Sequence, residues 1–164
     1  MGESYRDADL RERDFRGQNL EGADFSGADL HGARLSRAKL AGAKFVDANL
    51  YQAFVNDADL KSADLRNANL EFAVLGGADA SGANFEGAVL KRCNLVGTRA
   101  HGANFQKADL YYSRPGNADF EGADFRGANL ERAILRRANL ARADLRETSG
   151  TPNLDQANLE GAKR

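Results

Sequence analysis

Residues 21–50 read EGADF SGADL HGARL SRAKL AGAKF VDANL, which is six five-residue units without a break. Each unit ends on a large apolar residue and carries alanine two positions earlier. In all six units a polar or charged residue stands between the two. The pattern runs from Leu10 to Leu145: of 28 consecutive units, 24 end on Leu or Phe and 23 carry the alanine. Because a sustained internal period determines the architecture, this repeat is interpreted before any other feature.

A period of five fits neither an α-helix nor a continuous strand. On a helix, each step of five rotates the apolar residue by about 140°, and on a strand it moves that residue to the opposite face. Alanine and the apolar residue share a face only if a turn follows each very short strand. If each turn rotates the chain by a quarter circle, four units close a square coil with both residues inside. Glycine recurs at the second turn position, as in Gly22 and Gly42, where a tight corner favours it.

With these A(D/N)LXX units the chain resembles the pentapeptide-repeat family over residues 6–147. The resemblance implies an all-β fold, a right-handed quadrilateral β-helix (solenoid), and 28 units in groups of four predict about seven four-sided coils. We expect one β-helix domain over residues 1–147, with residues 1–7 as an N-terminal cap. Residues 148–164 break the register and are predicted to form a C-terminal cap or dimerisation segment.

The ends of a solenoid are open strand edges, which something has to cover. Leu154 and Leu159 resume the spacing of five after the break and are the candidate cap or dimer residues. Family members often dimerise end to end, so the resemblance implies a homodimer through the C-terminal end.

Two details of the core follow if residues twenty apart lie at the same position in adjacent coils. One inward column consists mostly of phenylalanine, which predicts a ladder of stacked rings: Phe25, Phe45, Leu65, Phe85, Phe105, Phe125 and Leu145. We expect Phe85 and Phe105 to fill the space beside the small residues Ala80 and Ala100. Pro115 cannot donate to a strand ladder, which predicts a local irregularity over residues 111–117.

Neither enzymatic chemistry nor a cofactor is expected. His31 and His101 fall on opposite outward faces, which argues against a shared metal ion, and Cys93 replaces an inward alanine. Asp and Asn interchange at the repeated position, which indicates a structural role rather than acid–base chemistry. With one cysteine, no secretory signal and no long apolar segment, we expect a cytoplasmic protein that does not enter a membrane.

The outward residues predict two candidate contact surfaces, because arginine and aromatic residues are typical of binding hot spots. On the second side of the coil (the Arg/Phe face), basic residues exceed acidic ones by four and exposed apolar residues accompany them. The candidates on this face are Arg34, Arg37, Phe54, Val74, Arg114, Ile134, Arg136 and Arg137. The candidates on the first side of the coil (the Tyr/Phe face) are Tyr51, Phe72, Tyr111 and Tyr112.

The function that these surfaces favour is a protein-binding rod or scaffold with an unknown protein partner. The resemblance offers an alternative, since some family members mimic DNA and inhibit or protect topoisomerases such as DNA gyrase. Mimicry requires dense negative charge along the rod, whereas this chain has a net charge of −1 and one basic face. Direct nucleic-acid binding is disfavoured because the charges are sparse and mixed in sign.

Overall fold

A computed structural model describes residues 2–164 of the chain. They form no helix, and their β-structure consists of single-residue parallel bridges separated by two-residue turns. From Ser4↔Asp24 to Asn129↔Ser149, each bridge joins residues twenty apart, so four five-residue units complete one coil. The residue between alanine and the apolar residue makes the bridge and points outward, as predicted.

The core is a narrow column filled by the two inward residues of each unit. Every alanine and apolar centre from Phe15 to Ala143 in this pattern is almost completely buried, including Ala80 and Ala100. Rings stack in two runs: Tyr5, Phe25 and Phe45 at one end, and Phe85, Phe105 and Phe125 at the other. Centroid separations of 4.7 to 5.0 Å match the spacing of adjacent coils, which confirms the predicted aromatic ladder. Leu65 separates the two runs.

Pro115 produces the predicted irregularity, and it is confined to one hydrogen bond. In the coils before it, the equivalent N–H donates to the next coil, as Leu75 N does to Asn94 O at 2.7 Å. Position 115 has no N–H to donate, and the bridge between Arg114 and Ile134 is missing. The neighbouring bond from Asn117 N to Arg136 O is intact at 3.0 Å, so the coil keeps its path.

Both terminal segments extend the solenoid. Tyr5, in the segment predicted as an N-terminal cap, occupies an inward position and stacks on Phe25. At the other end, three bridges join residues nineteen apart: Ile134↔Asn153, Asn139↔Asn158 and Asp144↔Lys163. Residues 148–163 therefore add a coil to the seven predicted, and the register break consists of one residue fewer in a single turn.

Candidate functional site

The corners of the coil are the positions that display side chains. At each corner the apolar residue accepts a bond from the N–H three residues on, as Leu10 O does from Arg13 N at 3.1 Å. The second turn residue has a φ between 53° and 72° at every corner from Asp7 to Glu147. A positive φ confined to the third residue of a four-residue turn is the type II geometry, which favours glycine at that position.

Glycine is nevertheless scarce at one corner. Between the Tyr/Phe face and the Arg/Phe face, six of seven left-handed positions carry a side chain: Glu12, Gln52, Phe72, Arg92, Tyr112 and Arg132. At the corner after the third side, five of seven are glycine: Gly22, Gly42, Gly82, Gly102 and Gly122. Left-handed conformation costs a residue with a β-carbon about 1–2 kcal/mol. We call the corner between the Tyr/Phe face and the Arg/Phe face the display corner. Its turns therefore present side chains at a cost in backbone stability.

Four of these side chains, together with His31 and Tyr51 of the first turn position, form one continuous stack along the display corner. His31 packs against Tyr51, and Tyr51 against Phe72, with centroids 5.2 and 5.7 Å apart. Arg92 lies between two rings, 5.5 Å from the Phe72 centroid and 6.0 Å from that of Tyr112. Arg132 completes the stack 5.2 Å from the Tyr112 ring. We call these six surface residues the ladder, which is distinct from the aromatic ladder of the core: His31, Tyr51, Phe72, Arg92, Tyr112 and Arg132.

An open groove of about 610 Å³ lies beside the first half of the ladder. Its apolar lining combines Phe72 with Phe54 and Val74 of the Arg/Phe face. Its polar lining consists of Glu12, His31, Arg34 and Gln52. Phe54 is 47% exposed, the largest exposure among the large apolar side chains of residues 2–164. The groove therefore joins residues that the sequence assigned to two separate faces.

The remaining candidates divide between the display corner and other positions. Arg114 and Ile134 continue the row of Arg34, Phe54 and Val74 along the middle of the Arg/Phe face. The ring centroids of Tyr111 and Tyr112 lie 5.0 Å apart, so Tyr111 borders the ladder.

Three candidate arginines lie at the far corner of the Arg/Phe face. Arg136 pairs with Asp155 at 3.6 Å, and Arg137 donates to Gln156 at 2.7 Å. Arg37 lines a different surface recess, beside Ser36 and Asn56. The structure therefore does not place these three residues with the groove.

The outward Asp and Asn residues stabilise turns, as their interchange predicted. The carboxylate of Asp14 accepts from the backbone N–H of Arg16 at 3.1 Å and pairs with its guanidinium at 2.6 Å. These bonds lower the pKa of Asp14 to about 2. Asp144 accepts the same bonds from Arg146, which lower its pKa to about 2 as well. Asn fulfils the backbone part of this role, since Asn94 Oδ1 accepts from Val96 N at 3.1 Å.

Three polar groups on the third side of the coil converge, which the sequence reading missed. Nε2 of His101 lies 2.9 Å from the Asp119 carboxylate, and Glu121 lies close to both. Each carboxylate also has another partner, because Asn139 donates to Asp119 at 2.9 Å and Arg142 pairs with Glu121. The register explains this meeting, since residues twenty apart stack on adjacent coils.

Leu154 and Leu159 lie at the C-terminal end of the rod, half-buried against the core. Leu154 borders a recess of about 330 Å³ together with Leu130, Leu145 and Pro152. The last coil thus covers most of the core end. Its use as a dimer contact stays a prediction.

Comparison with known proteins assigns the family. A model of pentapeptide repeats (eight copies) matches residues 6–42, 43–79, 73–111 and 116–149. The chain belongs to the pentapeptide-repeat family. The predicted class of right-handed quadrilateral β-helix is thereby confirmed, because solved pentapeptide-repeat proteins match along the chain.

Three solved pentapeptide-repeat structures illustrate the likeness. HetL from Nostoc sp. strain PCC 7120, involved in heterocyst differentiation regulation, is 30% identical over 97% of this chain and 84% of HetL, with a TM-score of 0.53. The protein alr5209 from Nostoc PCC 7120 is 34% identical over 57% of this chain and 70% of its own, with a TM-score of 0.49. QnrB1, a plasmid-mediated fluoroquinolone resistance protein, is 22% identical over 99% and 91% of the two chains, with a TM-score of 0.44. No curated protein matches the chain.

Proposed function

We propose that this pentapeptide-repeat protein is a non-enzymatic rod that binds a protein partner along its display corner. The observation that carries the proposal is the ladder, four of whose six side chains (Phe72, Arg92, Tyr112 and Arg132) project from left-handed turn positions. Backbone strain of this kind concentrates at functional positions, because only a gain elsewhere offsets it. Phe72 and Tyr112 are notable examples, since bulky residues rarely adopt a positive φ.

The chemistry of the corner agrees with protein recognition. Tyrosine, phenylalanine and arginine provide large contact areas, and interface hot spots are enriched in such residues. The groove supplies a concave apolar surface beside them, with Phe54 exposed at its wall. HetL, which is involved in regulation, offers a precedent for a regulatory role in the family.

Mimicry of DNA, which would make DNA gyrase the partner, is less well supported. A DNA mimic needs uncompensated carboxylates at the density of phosphate groups. Here Asp14, Asp64 and Asp144 each pair with an arginine two residues on, at 2.6 Å. The corners from residue 11 to residue 147 all have two-residue turns, so no loop projects from this part of the rod.

Affinity capture with a matched control tests the proposal. The tagged protein, its Phe54→Ser/Phe72→Ser variant and its Val46→Ser variant would be incubated with a lysate of the source organism and analysed by mass spectrometry. Val46 lies half-buried on the fourth side of the coil, away from the groove. We expect a partner that the wild type and the Val46 variant retain and the double variant loses. Identical capture by all three folded proteins would refute the proposed surface.

A further inference from the structure

Two adjacent rows along the display corner contain arginine and apolar residues but no acidic residue from the second coil to the seventh. One row is the left-handed turn position and the other is the bridge row of the Arg/Phe face. We call these two rows the strip, which consists of Gly32, Gln52, Phe72, Arg92, Tyr112 and Arg132 beside Arg34, Phe54, Val74, Asn94, Arg114 and Ile134. Four arginines against no carboxylate give the strip a charge of +4 on a chain whose net charge is −1.

These positive charges are largely available to a ligand. Among residues 2–164, Arg34, Arg92 and Arg114 make no ion pair within 4.0 Å, although Arg66, Arg126 and Arg146 on the fourth side of the coil do. Arg132 lies 3.7 Å from Glu131 and donates to the Tyr112 hydroxyl at 2.7 Å. A guanidinium held over an aromatic ring keeps its N–H edge free, and that edge matches a carboxylate.

We propose that the strip binds an extended, acidic peptide segment whose apolar side chains enter the groove. This inference rests on the proposed function and names the class of partner. Six coils at about 4.8 Å span about 24 Å, which an extended peptide of about seven residues covers at about 3.3 Å per residue. One apolar side chain would lie among Phe54, Phe72 and Val74, while carboxylates two residues before and after it meet Arg34 and Arg92 or Arg114.

The order of residues along the strip favours a peptide over single-stranded nucleic acid. Single-stranded nucleic acids bind continuous positive grooves with aromatic platforms, because every nucleotide carries a phosphate. Here Arg34 lies on the second coil and Arg92, Arg114 and Arg132 lie on the fifth to seventh. The third and fourth coils between them, which carry Phe54, Phe72 and Val74, are uncharged. An extended peptide with carboxylates two residues before and two residues after an apolar residue fits this arrangement, because side chains two apart share a face.

Fluorescence anisotropy with a defined probe tests the inference. The probe is a fluorescein-labelled heptapeptide of sequence Glu-Ser-Phe-Ser-Glu-Ser-Asp, whose carboxylates and ring lie two residues apart and so share one face of the extended chain. It is compared with its Gln/Asn counterpart and with a labelled fifteen-residue oligothymidylate. The test variant is Arg92→Glu and its matched control is Arg37→Glu. Both are exposed turn arginines in the left-handed conformation, with φ of 54° and 60°, but Arg37 lies on the far corner.

We expect the acidic peptide to bind with a Kd that rises about tenfold for Arg92→Glu and stays within about twofold for Arg37→Glu. Added salt should weaken binding, because exposed charges are screened. The inference is overturned if the Gln/Asn peptide binds equally well, if both arginine variants behave alike, if the oligothymidylate binds more tightly, or if the acidic peptide does not bind. Loss of the captured partner by Phe54→Ser/Phe72→Ser would still support the proposed function in those cases.

Discussion

The display corner can be tested by asking whether glycine is more stable than alanine at position 72. Phe72→Ala and Phe72→Gly both remove the ring and its contacts with Tyr51 and Arg92, so their difference isolates the backbone. At a φ of 59°, a β-carbon costs about 1–2 kcal/mol, and glycine avoids that penalty. Glycine loses about 0.4–1 kcal/mol through the greater freedom of its unfolded chain. The net expectation is that the glycine variant is more stable by about 1 kcal/mol.

Urea unfolding, followed by circular dichroism, measures that difference directly. The control is the same pair of substitutions at Lys39, an exposed bridge residue outside the left-handed positions. There glycine should be the less stable residue by about 0.5–1 kcal/mol, as in regular structure generally. The sign of the effect should therefore reverse between the two sites. If alanine is at least as stable as glycine at position 72, the display corner is not strained and the main argument for its function fails.

Three further predictions concern the core, the turns and the buried thiol. Leu70→Asp should prevent folding, because it buries an unpaired charge, whereas Arg114→Glu on the surface should leave the thermal melt almost unchanged. Asp144 has a folded-state pKa of about 2, below its ordinary 3.8, so its contribution to stability is complete above about pH 4 and is lost as the pH falls to 2. Asp144→Asn should reduce the loss of melting temperature over that interval, and an unchanged pH profile would contradict the role of the pair with Arg146. Burial raises the pKa of the Cys93 thiol, so a maleimide should label it in denaturant and leave the native protein unlabelled over the same time.

The fold was predictable because the period of five leaves a single geometric solution. Each unit repeats the same inward pair of residues. A departure from the pattern at a single position, such as Pro115, therefore cannot shift the register. The aromatic ladder of the core followed from the same arithmetic, since residues twenty apart must stack. The terminal coils were less predictable, because Tyr5 and Leu154 belong to units whose other positions depart from the pattern.

The candidate site was only partly predictable. Sorting residues by side separated Phe54 from Phe72, whereas the coil places the turn residues of one side next to the bridge residues of the following side. The ladder was also hidden because it changes position within the unit: Tyr51 is a first turn residue and Phe72 a second. Arg92 completes the stack as a cation between rings, and neither its sequence neighbours nor its charge singles it out.

The ends of the strip add a reason to regard it as one functional unit. At its N-terminal end the two rows carry acidic residues, Glu12 and Asp14, which terminate the positive charge. At the other end, the turn that lies one coil beyond the turn after Leu130 is one residue shorter. This shortening changes the sequence separation of bridged residues from twenty to nineteen. Its Gly150 cannot carry a side chain, because a β-carbon would lie 2.4 Å from the Glu131 backbone. The left-handed residue of the shortened turn, Gly150, therefore displays no side chain at the point where the ladder stops. We therefore expect the proposed acidic peptide to meet repelling charge at one end of the strip and a closed corner at the other, which would limit both its length and its position.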